Sequence, residues 1–347
     1  MAAASEHELP HIVQTELESF LLGGEARFTR EDLVERTGVS LDRARELWMA
    51  LGFPVAADPT AAMYTESDAR ALREVTRLVE DGVIGTQMQV QIARSIGQAL
   101  ARLAEWQVDV LNAQLLPALA ELGPEPDPKR VAEVSREVAD RIIPTLENLQ
   151  QFAWRRHLAA AMSRSLAAAE AGRDHTDPRS LVVGFADMVG YTRLTRHLDR
   201  DELSDLLEAF ESTATRIVTR NGGWVIKNVG DEVMFAIEDP GAAAELALEL
   251  QETTADSDAT PELRIGMASG PVLTRFGDLY GSVVNTAARL TGVARPGTVL
   301  IDDALAELLD ENPDYLFRHL RGVRVRGISH LGAHVLRRTT RKPSSAA

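Results

Sequence analysis

The stretch LVVGFADMVGYT, residues 181–192, is an apolar run that stops on a carboxylate, Asp187, and turns at Gly190. Six uncharged residues, a carboxylate and then a Gly-containing turn predict a buried strand with its acidic end at a sheet edge. Exposed backbone N–H groups in such a turn can receive phosphate oxygens. Downstream, GWVIKNVG (223–230), EVMFAIE (232–238), LRIGMASG (263–270) and TVLID (298–302) read as further short strands. Helical stretches near 200–220, 240–254 and 283–293 lie between them. Strands alternating with helices predict an α/β or α+β sheet domain over 181–340.

Upstream the pattern changes. Residues 1–170 are rich in Ala, Leu, Glu and Arg, with apolar residues at helical spacing, and read as an all-helical domain. The segment FTREDLVERTGVSLDRARELWMALGFP (28–54) reads as helix, turn, helix. Gly38 marks the turn, Ser40 caps the second helix, and Leu41, Ala44 and Leu47 lie along one face. Two longer helices follow, at 86–116 and 128–171. In the second, Val131, Val134, Val138, Ile142, Leu146 and Leu149 form a stripe that Pro144 is expected to kink. The polar, turn-rich AGRDHTDPRS (171–180) reads as the linker, and RKPSSAA (341–347) as a disordered tail.

Bulk properties narrow the function. The formal net charge of −15 argues against broad electrostatic binding to nucleic acid or anionic membrane. With no cysteine, disulfides and thiolate metal sites are excluded, and a reducing compartment is the simple reading. No signal-peptide pattern opens the chain, and no run approaches the roughly 20 apolar residues of a membrane span, so a cytoplasmic location is expected. No GxxxxGK[ST] loop is present, which excludes a P-loop ATPase.

Three segments carry chemistry. Asp187 ends the first strand. Lys227-Asn-Val-Gly230-Asp231-Glu232 is a hairpin-like turn with a second carboxylate at its tip. Asp278-Leu-Tyr-Gly281-Ser-Val-Val-Asn285-Thr-Ala-Ala-Arg289 leads into a helix on which Asn285 and Arg289, four apart, share a face. Alone, each feature is an ordinary turn or a solvated helix face. Together, two carboxylates at the ends of neighbouring strands suit two hard metal ions about 3.5–4 Å apart, the arrangement of phosphoryl chemistry.

FADMVGYT (185–192), KNVGDEVMF (227–235) and DLYGSVVNTAARL (278–290) resemble, in order and spacing, the three catalytic segments of the class III nucleotide cyclases. The match covers about half the chain. It implies a ferredoxin-like catalytic domain and conversion of ATP to 3′,5′-cyclic AMP and pyrophosphate with two Mg2+ or Mn2+ per active site. By that resemblance Asp187, Asp231 and the Met188 carbonyl bind the metals, and Lys227 and Asp278 read adenine. Asn285 orients the ribose, and Arg289 stabilises charge at the α-phosphoryl group. The family usually places a Lys near the triphosphate in its last hairpin; GVRVRGI (322–328) puts Arg326 there. Shared sites between the two chains of a homodimer are also implied.

The helical half is similar, more diffusely, to the regulatory domain of soluble pH-responsive mycobacterial cyclases. That similarity implies autoinhibition, with acid or a fatty-acid-like ligand in an apolar groove as the signal. His157, after Arg155 and Arg156, and His175 in the linker are the titratable groups near the joint. The alternative readings are a DNA-binding helix-turn-helix regulator carrying a cyclase-like domain, and guanylate cyclase activity. DNA is not the expected partner, because 28–54 carries four Arg against five acidic residues. His330-Leu-Gly-Ala-His334 has a metal-site spacing but no cysteine or acidic third ligand nearby in the sequence, so zinc is not expected there.

Overall fold

A computed structural model describes residues 9–55, 57–170, 179–255, 261–275, 277–320 and 331–339. Arg326, His175, His330 and the expected tail at 341–347 lie outside these residues, as does the expected linker up to residue 178. The chain divides into two compact units, residues 1–170 and 171–347.

The first unit is helical: α1 (Leu9–Leu21), α2 (Arg30–Thr37), α3 (Leu41–Ala50), α4 (Glu66–Glu80), α5 (Thr86–Ala120) and α6 (Pro128–Glu170). Local chemistry sets the boundaries of the short helices. Thr29 and Asp32 form a reciprocal capping box at the start of α2, Gly38 takes a left-handed conformation at its end, and Ser40 caps α3. Leu33, Val39, Ala44, Leu47, Tyr64, Ala69, Leu72 and Ala93 form one core. Gly97 lets α5 approach the last turn of α3, since a Cβ there would collide with the Leu51 backbone. On α6 the buried face is Val131, Val134, Ser135, Val138, Ala139 and Ile143. It drifts off the expected line, and Leu149 is exposed. Pro144 sits inside α6, which continues across it.

The second unit begins with β1 (Arg179–Met188), α7 (Tyr191–Leu194), α8 (Arg200–Arg220), β2 (Trp224–Val229), β3 (Glu232–Ile237), α9 (Pro240–Ala255) and β4 (Leu263–Arg275). The antiparallel order β2-β3-β1-β4 gives a ferredoxin-like core in which α8 and α9 are the crossovers. Then come β5 (Asp278–Tyr280), α10 (Ser282–Val293), β6 (Thr298–Ile301), α11 (Asp303–Leu309), β7 (Tyr315–His319) and β8 (His334–Arg338). They extend the sheet to β2-β3-β1-β4-β6-β8-β7, with β6 parallel to β4 and β5 hairpinned onto β4.

Period-2 alternation sorts the two faces. Val182, Ala186 and Met188 of β1 pack with α8, α9 and α11, and Leu181, Val183 and Phe185 pack under α10. Gly266 on β4 faces α10 so closely that a Cβ would collide with the Thr291 backbone nitrogen. Thr291 Oγ1 also donates to the Phe185 carbonyl at 3.4 Å. Helix α10 is thereby fixed on the face that carries Asp187.

Candidate active site

Strand register builds the acidic part of the site. In β1, Asp187 lies opposite Glu232 of β3 on one side and opposite Arg264 of β4 on the other. All three share one face, because directly paired residues in antiparallel strands point the same way. The β2–β3 turn folds over this row. Gly230 takes a left-handed conformation with φ 61°, and the Met188 N–H donates to the Asp231 carbonyl at 3.1 Å. Asp187, Met188 and Asp231 thus come together at the end of β1.

The electrostatics of this corner are unbalanced. Burial pushes the Asp231 carboxyl above the usual carboxylate range, and neighbouring Asp187 pushes the same way. Glu232 is raised as well, by burial first and then by Asp187 and Asp231. Arg264 donates to Asp187 through Nη2, while its Nε is buried without a hydrogen-bond partner among the described residues. Three carboxylates therefore share one incompletely satisfied guanidinium. Such an all-oxygen donor set fits hard divalent cations, and added positive charge would relieve the repulsion.

Sequence reasoning missed Arg264 and Glu232. The signal was present, since Arg264 is a charged residue inside the apolar run LRIGMASG.

The second cluster lies on the same face. Lys227 of β2 lies opposite Met234, which points toward α10. Its Nζ is 2.5 Å from Asp278 Oδ2. Asp278 begins β5 after a tight turn in which Gly277 has φ 80°. Asn285 and Arg289 ride on α10, Asn285 exposed in the first turn and Arg289 half-buried one turn later.

In the helical unit, the segment read as a helix-turn-helix holds its second helix against a neighbour. Arg43 of α3 donates to the Thr86 carbonyl of α5 at 2.7 Å and also bonds Gln89 and Glu46. That arginine is committed to contacts within the helical unit, while Arg45 of the same helix is exposed. No helix among the described residues is long and apolar enough to cross a membrane.

Comparison with known proteins agrees with this geometry. Residues 175–338 match the family model described as the adenylate and guanylate cyclase catalytic domain, and residues 9–162 match that of the adenylate cyclase regulatory domain. An adenylate cyclase of Streptomyces coelicolor is 45% identical over 299 residues, covering 86% of this chain and 76% of its own. An adenylate cyclase of Streptomyces griseus is 42% identical over 314 residues, with 88% and 76% covered. A protein of Mycobacterium tuberculosis named pH-sensitive adenylate cyclase is 32% identical over 317 residues, with 88% and 78% covered. The chain belongs to the class III adenylate cyclases that carry an adenylate cyclase regulatory domain ahead of the catalytic domain.

Proposed function

We propose that this adenylate cyclase works at sites shared between two copies of the chain, and that Asp187 and Asp231, with the Met188 carbonyl, hold two divalent cations. The observation that carries the reading is the crowding of Asp187, Asp231 and Glu232 around the single guanidinium of Arg264. When bound, the cations neutralise the triphosphate and acidify the ribose 3′-hydroxyl. The 3′-hydroxyl gives up its proton to solvent, its oxygen forms a bond to the α-phosphorus, the bond from that phosphorus to the β-phosphate bridge breaks, and pyrophosphate leaves. Asn285 orients the ribose for that attack. Arg289 meets the charge that grows on the α-phosphoryl oxygens, a contact worth about 3 kcal/mol of barrier in comparable sites. Arg326 is assigned to the triphosphate, which a guanidinium fork grips at two oxygens.

Lys227 and Asp278 select the base. Their 2.5 Å pairing places a donor and an acceptor side by side. Adenine fits both, since its N1 accepts from the ammonium and its N6 amine donates to the carboxylate. Guanine reverses both edges, and each mispairing costs about 1–3 kcal/mol. Purified protein with Mn2+ is therefore expected to prefer ATP over GTP by about a hundredfold or more. Lys227→Glu combined with Asp278→Cys should shrink that preference by at least about tenfold. A double variant with the full preference for ATP would remove both residues from base reading.

The helical unit is proposed to restrain catalysis. One relative bears the name pH-sensitive, and acid is one candidate signal here. His157 is exposed beside Arg155 and Arg156 on α6. A fatty-acid-like ligand is the other candidate. The cavity of about 690 Å³ between α5 and α6 is lined by Val110, Pro117, Val134 and Val138 and by both signs of charge; Arg130 is paired with Glu133 and Glu137, which leaves Arg141 as the cation for a carboxylate. Full-length protein and a 176–347 fragment should be compared between about pH 5.5 and 8, with and without a long-chain fatty acid. The fragment is expected to be at least about tenfold more active at the alkaline end, within the usual range of coupling between sites. Equal activity there would remove autoinhibition. Equal responses of both proteins to acid and to fatty acid would remove the helical unit as their sensor.

A further inference from the structure

The far edge of the catalytic unit holds a second cluster of metal-ligating side chains. The row Ile301–His334–His319 runs across β6, β8 and β7 in direct register. The two imidazoles are therefore cross-strand neighbours, with ring centroids 4.9 Å apart in an edge-on arrangement. Asp303 stands two residues past Ile301, at the start of α11. Its Oδ1 lies 2.8 Å from His334 Nε2. One donor atom from each of Asp303, His319 and His334 lies within 4.8 Å of the others.

The carboxylate of Asp303 is not consumed by helix capping. Asp302 is the N-cap of α11 and accepts from Leu305 N at 3.0 Å and from Ser269 N at 3.2 Å. Room for the Asp303 carboxylate is instead left by Gly332, where any Cβ would collide with it. Three separate elements, each fixed by the sheet or by its own cap, thus aim one donor apiece at a common point.

We propose that Asp303, His319 and His334 bind a zinc ion, with a fourth position open to water or a small donor. Zinc bonds of about 2.0–2.1 Å in tetrahedral geometry place donor atoms roughly 3.3 Å apart. The 2.8 Å Asp303–His334 separation and the 4.8 Å limit on the others are compatible with that spacing, and Asp303 and His319 are exposed enough to adjust by side-chain rotation. Two imidazoles and a carboxylate favour zinc over the hard cations, which take oxygen donors. The cluster is also distinct from the carboxylates at Asp187 and Asp231. Strands β4 and β6 separate β8 from β1, a lateral distance of about 14 Å. The proposed ligand set differs from the His330–His334 pair of the sequence, of which His330 lies outside the described residues. The acidic ligand absent nearby in the sequence is supplied from α11, and the second histidine from β7.

The test uses the full-length chain, stripped of metal and held in about 5 mM Mg2+ to occupy the oxygen-donor site. Zinc is titrated calorimetrically or against a chromogenic chelator. One equivalent per chain is expected to bind with a Kd in the micromolar range or tighter. His319→Ala, His334→Ala and Asp303→Asn are each expected to weaken it by at least about tenfold. Asp231→Asn should leave it unchanged. Cobalt in place of zinc should give visible absorption in the wild type that His319→Ala removes. Asp303→Asn alters only an exposed carboxylate, so it reports on the site even if His334→Ala misfolds. A wild-type chain that binds no zinc in the presence of Mg2+ would overturn the assignment. So would three variants that bind it as tightly as the wild type, and so would loss of zinc in Asp231→Asn.

Discussion

Asp187→Ala and Asp231→Ala are each expected to lower cyclic AMP formation by about a thousandfold or more, roughly 4 kcal/mol of barrier, while the protein stays folded. The argument starts from register. The pairing of β1 with β3 and β4 puts Asp187 between Glu232 and Arg264, and the β2–β3 turn adds Asp231. Nothing in the core requires this concentration of charge. Its cost shows in the raised proton affinity of Asp231, caused by burial and then by Asp187. A carboxyl that binds its proton more tightly folded than unfolded stabilises the fold fully below its unfolded pKa. That contribution is lost as pH rises through the folded pKa. At neutral pH the ionised Asp231 is therefore a local burden in the metal-free chain. Asp231→Asn should raise the metal-free melting temperature by about 2–4 °C, the shift that roughly 1 kcal/mol produces in a domain of this size. Mn2+ should stabilise the wild type and have little effect on Asp231→Asn. Paired melting and activity measurements check both halves. Retention of more than about a tenth of wild-type activity by either alanine variant would place the metals elsewhere.

Most of this corner was legible in the sequence because it is local. A strand that stops on Asp187 and a turn that exposes Asp231 are written in consecutive residues. The helix bounded at 200–220 has its cap in Asp199 and Glu202. Register is a different kind of information. Arg264 lies 77 residues from Asp187, and only the β1–β4 pairing makes them neighbours. The Asp303, His319 and His334 cluster escaped for the same reason, since spacing along one hairpin suggested His330 as the partner of His334. Strands β7 and β8 were not delimited in advance, because five-residue strands carrying Arg and His lack a clear apolar period. On α6 the 3.6-residue period named Val131, Val134 and Val138 correctly. It could not foresee that the covered face would also take in Ala139 and Ile143, leave Leu146 half-buried and leave Leu149 exposed.

Mixing two inactive variants, Asp187→Ala and Asn285→Ala, is expected to restore activity. The reason lies in how α10 is seated. Gly270 of β4 faces Val283, with a Cβ-to-side-chain approach of 3.0 Å, and Gly266 faces Ala287 and Thr291. Helix α10 therefore runs back along β4, and Asn285 lies near the level of residue 268. Asp187 is level with Arg264. Four residues of strand at about 3.3 Å each put roughly 13 Å between those levels. A ribose and the metals on its own α-phosphate lie much closer together than that. One chain then offers the Asn at one end of the face and the metal carboxylates at the other. A second copy related by a two-fold axis would bring its own Asn285 to the carboxylates and produce two equivalent sites. The open sheet face agrees with such a partner, since Trp224 and Ile226 are only partly covered within one chain. In a heterodimer of the two variants, one site carries both lesions and the other carries neither. Random pairing of equal amounts makes half the dimers mixed, so about a quarter of wild-type activity should return. The measurement is activity of each variant alone and of the remixed pair, with mixed dimers verified by differential tags. Verified heterodimers that stay as inactive as the parents would mean that each site is assembled from a single chain.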